Sequence, residues 1–263
     1  MAVPDASAAP EVQVRGLAKS FGPVAVLPAT GLTFAAGQTT ALVGPSGCGK
    51  STILRLIAGL EAPDAGEVTV GGRAPAEVAR EAGLAVAFQD PSLLPWRTVR
   101  GNIALARTLA RLPADAAIVD GLIARVGLEG FEDARPAELS GGMRQRAAIA
   151  RCLAAEPRLL LLDEPFGAVD ELTRMKLNED LPRLWEARGT TTLLVTHSVQ
   201  EAVLLSDRVL VFSPRPARVV ADIAVPFARP RTRAVTREAA FHRLVDEVSA
   251  ALWAGGGLPL AAE

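Results

Sequence analysis

Gly44-Pro45-Ser46-Gly47-Cys48-Gly49-Lys50-Ser51-Thr52 is the stretch from which the rest of the chain can be read. It satisfies G-x-x-x-x-G-K-[ST], a pattern whose glycines let successive backbone N–H groups curl around phosphate oxygens. Its flanks suit that task. Ala41-Leu42-Val43 reads as a strand running into the loop, and Ile53, Leu54, Leu56 and Ile57 recur at helical spacing up to a stop at Gly59. A helix opening on such a loop adds the partial positive charge of its N-terminus. In this pattern Lys50 bridges the β- and γ-phosphates, and the Ser51 hydroxyl ligates Mg²⁺. Cys48 is either a thiol whose adduct would collide with a nucleotide or a buried, inert one; both readings stay open here.

Working outward, more short and continuously apolar runs follow: Leu84 to Phe88, Leu159 to Leu162, Leu193 to Val195 and Val209 to Val211. Strands buried on both faces of a parallel sheet read this way. Helical patterns between several of them predict βαβ units and an α/β core. Val12 and Val14 alternate with polar residues, as does Glu67-Val68-Thr69-Val70, which predicts a flanking antiparallel sheet. Residues 99 to 135 carry Ile103, Leu105, Leu109, Ile118 and Leu122 at helical spacing, broken at Pro113, and predict a helical insertion. Residues 1–10, rich in Ala and Pro, predict a flexible N-terminus. After Pro226 a loop is expected, then an amphipathic helix from Glu238 to Trp253.

Composition narrows the function classes. Of the 263 residues, 49% are hydrophobic, enough for a sizeable core. A net charge of -1 lacks the basic stripe that nucleic-acid binding needs. Arg215, Arg218, Arg229, Arg231 and Arg233 cluster late in the chain, where Pro-rich spacing predicts a solvated surface. Two distant cysteines suggest no disulfide framework. The opening residues lack the charged and apolar regions of a signal peptide, and no apolar run approaches the ~20 residues of a membrane helix. Action at a membrane would therefore need another chain to cross it.

Two further motifs carry chemistry. Leu159-Leu160-Leu161-Leu162-Asp163-Glu164-Pro165 ends an apolar strand in an acidic pair. By itself such a pair fits a loop start as well as a functional site. Beside a phosphate loop it places Asp163 to hold a Mg²⁺ shell and Glu164 to polarise a water. Leu139-Ser140-Gly141-Gly142-Met143 opens a helix, expected from Met143 to Ala155, and makes a second anion cradle. One nucleotide needs one cradle, so the second is explained economically by the nucleotide of another subunit.

The order GPSGCGKST, Gln89, LSGGM, LLLLDEP, Asp170 and His197 resembles an ATP-binding cassette ATPase of a transporter over about residues 11 to 225. The resemblance implies a P-loop NTPase core with an antiparallel β-subdomain and a helical signature subdomain of about residues 97–157. The cassette domain would span 11–240, and a C-terminal helix and tail 241–263. ATP and Mg²⁺ are implied, held by Gly44 to Thr52 with Ser51, Asp163 and Gln89 on the metal. Glu164, His197 and Gln89 would serve catalysis, His197 at the γ-phosphate and Gln89 also linked to the membrane subunit. Phe21 matches the aromatic that stacks on adenine. Ser140, Gly141 and Gly142 would reach the γ-phosphate of a partner, and Asp170 lies in the loop communicating across the pair. Met143 departs from the usual Gln, so a ribose contact of that side chain is not carried over from the resemblance, while the backbone cradle is. Val169 replaces the usual Leu, and His242 reads as a surface residue.

Leu94-Pro95-Trp96-Arg97-Thr98-Val99 with Asn102, Met143, and Ser213 to Arg218 resemble the nitrate, sulfonate and taurine importer group. Such an importer implies a second cassette as a homodimer partner, transmembrane permease subunits, a solute-binding protein, and a peripheral place on the cytoplasmic face of the inner membrane. Relatives in that group also serve pyrimidine precursors of thiamine. Trp96 either anchors the permease contact or packs within the helical insertion. A soluble repair or translation cassette would add a coiled coil or a second cassette, and a small-molecule kinase would need an acceptor lid; the chain shows neither pattern.

Overall fold

The apolar runs become the inner strands of one sheet. The computed structural model describes residues 9–256, so residues 1–8 of the expected flexible start and 257–263 of the tail lie outside the described residues. The elements are β1 (Val12–Phe21), β2 (Val24–Phe34), β3 (Thr39–Val43), α1 (Lys50–Ile57), β4 (Ala65–Val70), α2 (Pro75–Arg80) and β5 (Leu84–Ala87). Then come α3 (Val99–Leu109), α4 (Ala116–Arg125), α5 (Gly141–Ala154), β6 (Leu159–Asp163), α6 (Glu171–Asp180) and α7 (Pro182–Glu186). The last are β7 (Thr191–Val195), α8 (Val199–Leu205), β8 (Arg208–Phe212), β9 (Val219–Ala224) and α9 (Ala239–Gly255).

The six-stranded sheet runs β5-β6-β7-β3-β8-β9. All its neighbours are parallel except β8 and β9, which pair antiparallel. Every residue of β3, β6 and β7 is buried, because helices and the second sheet cover both faces. Each buried leucine of β6 contributes roughly 2 kcal/mol. The second sheet is antiparallel, in the order β2-β1-β4. Val12, Val14, Phe34 and Val70 from that sheet share one core with Leu42, Leu161 and Leu193 and with Ile53 and Ile57 of α1. On the opposite face Leu160 and Leu162 meet Ile103, Ile123, Ile149 and Trp185. The helical insertion thus packs into the core of the main sheet. A third cluster joins Val43, Val209 and Val211 to Val203 and to Phe241 and Val248 of α9, so the last helix rides on β8.

Register decides what the sheet presents. Ala87 pairs with Leu162, Asp163 with Val195, and Val195 with Leu42. The carboxyl ends of β5, β6, β7 and β3 therefore lie side by side, where ligands of open α/β sheets bind.

One expectation is overturned. Arg229 and Arg231 do not form a solvated surface. Arg231 is 7% exposed and donates to the carbonyls of Val203, Leu204, Ser206, Val225 and Phe227. Arg229 pairs with Glu186 and, at 2.8 Å, with Asp207. A guanidinium has five donors, and here they satisfy carbonyls at the C-terminal end of α8 and in the loop after β9. Burial pushes the Arg229 pKa down to about 10. Arg215, Arg218 and Arg233 are exposed, as expected.

Candidate functional site

The phosphate loop hangs from the end of β3. Cys48 N–H donates to the Pro45 carbonyl at 3.3 Å, and Gly49 turns into α1 at φ +124°, a conformation open to glycine. No side chain caps α1, which leaves its first-turn N–H groups free for an anion. Lys50 is buried and its ammonium donates to the carbonyls of Gly44 (2.7 Å) and Pro45 (2.9 Å). The Cys48 thiol is also buried, beside Lys50 Nζ at 3.6 Å, which decides between the two readings in favour of an inaccessible thiol.

The acidic strand end meets this loop. Ser51 Oγ donates to Asp163 Oδ1 at 2.9 Å. Burial raises the Asp163 pKa, the Ser51 hydrogen bond opposes that, and the neighbouring charge of Glu164 adds to it. Glu164 leaves β6 at φ +49°, a strained conformation for a residue with a side chain, held by its N–H to the Val195 carbonyl at 2.9 Å. That turn aims the carboxylate across the strand ends. Glu164 Oε2 accepts from Gln89 Nε2 at 3.4 Å and lies 3.6 Å from His197 Nδ1. A cleft lined by Ser51, Thr52, Phe88, Gln89 and Asp163 opens here.

Other expected residues lie apart from that cleft. Phe21 is exposed on the β1–β2 turn, with Lys19 Nζ 5.1 Å from its ring centroid. Ser140 is exposed and caps α5, accepting from Met143 N–H at 3.2 Å, so the helix begins two residues before the expected Met143. A Cβ on Gly142 would lie 2.7 Å from the Ala168 carbonyl oxygen, so the signature turn packs directly on the loop leading to Asp170. Asp170 caps α6, and the Thr173 N–H holds its carboxyl below the usual range. His242 is exposed, as expected.

Several supporting contacts escaped the sequence reading. Gln145 of α5 donates to the Phe88 carbonyl at 3.2 Å, and Arg151 to those of Pro91 (2.9 Å) and Ser92 (2.8 Å), so α5 grips the chain on both sides of Gln89. These partners are about 60 residues apart and leave no local signal. The Thr196 hydroxyl donates to Glu201 Oε2 at 2.8 Å and accepts from Ser198 N–H at 3.0 Å, bracing both neighbours of His197. The spacing Ser198-x-x-Glu201 matches a helix-capping pattern and could have flagged that pair. Asn102, fully buried, bonds Leu94 through both its N–H and its carbonyl and also takes the carbonyls of Arg97 and Thr98. Trp96 within that stapled loop is 69% exposed, so it does not pack inside the helical insertion.

A phosphate loop on a central parallel strand, with a carboxylate pair ending the second strand along, defines a P-loop nucleoside triphosphatase. The chain belongs to the ABC transporter family, whose profile matches residues 27–167, and it is an ATP-hydrolysing, ATP-binding subunit of that family. It is 45% identical to "Aliphatic sulfonates import ATP-binding protein SsuB" of Rhodopseudomonas palustris, over 88% of this chain and 80% of that protein. To the protein of that name from Pseudomonas putida KT2440 it is 47% identical, over 87% and 82%. To SsuB 1 of Xanthomonas axonopodis pv. citri it is 45% identical, over 92% and 96%. Among solved structures, the dimeric bacterial ABC transporter cassette MJ0796 superposes with a TM-score of 0.74 at 27% identity, covering 82% of this chain and all of that one. The same cassette in a dimeric post-hydrolysis state bound to ADP and Pi gives 0.73 at 28%. Among the described residues no helix is long and apolar enough to cross a membrane.

Proposed function

We propose that this chain powers import of an aliphatic sulfonate or a similar small oxyanion, working as one of two identical cassettes beneath permease subunits on the cytoplasmic face of the inner membrane. The observation that carries the ATPase reading is the convergence on Glu164. Its carboxylate faces both Gln89 and His197 at the strand ends, next to the Ser51–Asp163 pair.

In this reading the phosphates of ATP lie on the loop from Gly44 to Thr52, and Lys50 exchanges the Gly44 and Pro45 carbonyls for phosphate oxygens. Ser51 and Asp163 are adjacent oxygen donors, and the Asp163 carboxylate is desolvated. That donor set, with Gln89 at the mouth of the cleft, fits Mg²⁺, a hard cation that takes few protein ligands and keeps several waters. Held by these residues, such an ion would supply charge neutralisation to the phosphates of the nucleotide. Glu164 orients a water and draws on its proton as the oxygen attacks the γ-phosphorus; His197 steadies the γ-phosphate, and ADP leaves with the bridging oxygen. Phe21 stacks on adenine once Lys19 yields the ring face. Ser140, Gly141 and Gly142 close on the ATP of the partner cassette, with Asp170 beside that contact. The rigid loop presenting Trp96 meets the permease, since an exposed Trp on a stapled loop is the kind of anchor interfaces use.

The solute follows from the importers that this chain resembles, because no residue of the cassette itself meets solute. A strain lacking this gene, with no redundant system, should fail to grow on an aliphatic sulfonate as sole sulfur source. The wild-type gene should restore growth and Glu164→Gln should not. Growth of the deletion strain on sulfonate would remove the solute reading, and rescue by Glu164→Gln would remove Glu164 from the chemistry.

A further inference from the structure

We propose that Arg215 is a nucleotide-binding residue, a guanidinium delivered to the phosphate loop by the hairpin joining β8 to β9. The proposal rests on the phosphate-loop reading above and extends it to a segment, Ser213 to Arg218, that the importer-group resemblance marks but gives no role.

The hairpin is fixed in place on both sides. Ser213 N–H donates to the Arg218 carbonyl at 2.9 Å, and Arg218 N–H returns to Ser213 Oγ at 3.1 Å. Ala217, fully buried, donates its N–H to the Val26 carbonyl at 2.8 Å, tying the hairpin to the strand that leaves the Phe21 turn. The hairpin follows the phosphate loop along its length. A Cβ on Gly44 would lie 2.9 Å from the Phe212 carbonyl oxygen, and one on Gly49 would lie 3.6 Å from Ala217 Cβ. Between these two contacts, a Cβ on Gly47 would lie 3.1 Å from Arg215 Nη2. The guanidinium thus sits where any side chain at position 47 would be, against a glycine at φ +72°. Pro214 and Pro216 on either side narrow the backbone freedom of the residue that carries it.

Charge supplies the second half of the argument. Among the described residues Arg215 makes no hydrogen bond or ion pair, so its charge is not spent on a protein carboxylate. An unpaired guanidinium in contact with a loop built to hold phosphates has one strong ligand chemistry open to it, the oxygens of a phosphate chain. Gly47 lies within the loop read above as the holder of the phosphate chain. Arg215 therefore addresses phosphate oxygens, which ATP, ADP and GTP share, and not the base. A contact equal in the ground and transition states lowers KM and leaves kcat alone.

The test measures MgATP turnover and the equilibrium affinities for ATP, ADP and GTP in the wild type, Arg215→Ala and Arg215→Lys. Arg215→Ala should weaken all three nucleotides by the same factor, roughly five- to tenfold for an exposed charge-assisted contact, with kcat unchanged. Arg215→Lys should recover part of the loss, and added salt should narrow the gap between wild type and Arg215→Ala. Unchanged affinities, a loss for ATP that spares GTP, or a fall in kcat at intact affinity would each overturn the proposal. Lys50→Ala separates the two readings. If it loses nucleotide while Arg215→Ala keeps it, Arg215 alone is wrong; if it binds ATP like the wild type, the phosphate-loop reading falls with it.

Discussion

Two glycine-rich turns open helices in this chain, and they differ in what their own chain does with the helix N-terminus. At Gly44 to Thr52 the helix is left without a side-chain cap, Lys50 is buried over the loop, and Ser51 reaches Asp163 across 112 residues of sequence. At Ser140 to Gly142 the serine side chain already caps the helix through Met143 N–H, and the exposed turn backs onto Ala168. The first turn is thus a site assembled within one chain. The second is a finished helix end with an outward face, which suits contact with a nucleotide held by another copy. A similar anion cradle in sequence becomes two different devices, and what separates them is which polar groups the tertiary structure brings near.

Substitutions can break that contrast, and the largest effect is expected at Lys50. Lys50→Ala should lower the ATP affinity of the isolated chain on the order of a hundredfold, since it removes a charged donor to the phosphates. Isothermal titration giving wild-type affinity would dissolve the distinction from the phosphate-loop side.

Ser140→Ala should act on the other turn with the opposite profile. ATP affinity of the isolated chain stays as in the wild type, stability falls by about 1 kcal/mol through loss of the cap, and turnover of the assembled transporter drops about tenfold. An equal loss of ATP affinity in the isolated chain would mean that both turns serve one nucleotide.

The smallest effect sharpens the comparison from the side of stability. Burial raises the Asp163 pKa, so the folded chain binds that proton more tightly than the unfolded chain does. Stability without nucleotide should therefore fall as pH rises from the ordinary carboxylate range through the raised value, with the cost fully present above it. Asp163→Asn removes that titration, and its melting temperature without nucleotide should exceed that of the wild type at neutral pH, with the gap closing in acid. Removing the buried charge beside the first turn thus stabilises the chain, whereas removing the cap of the second destabilises it. A lower melting temperature for Asp163→Asn at neutral pH would contradict this.

Much of this was legible before any coordinates. The strand–loop–helix around Gly44 to Thr52, the buried strands and the flanking antiparallel sheet are written as local periodicity, and local periodicity survives folding because each strand or helix buries one pattern. Residues whose role depends on distant partners were misread or missed. Arg231 looks like one more exposed arginine until the carbonyls of Val203, Leu204 and Ser206, some 25 residues earlier, surround it. Arg151 looks like an ordinary helix cation until the loop after Gln89 closes onto it.

The amino-acid sequence by itself determined the phosphate loop, the acidic strand end after Leu162 and the second cradle at Ser140. Each depends on neighbours within a few residues, where backbone geometry is set by residue type. Only the tertiary structure decided that Glu164 faces Gln89 and His197, that the Cys48 thiol is closed off, and that Arg215 lies on Gly47. The parallel register of β5, β6, β7 and β3 aligns strand ends that are scores of residues apart in the chain, and hydrogen bonds and charges act over a few ångströms of space whatever the sequence separation.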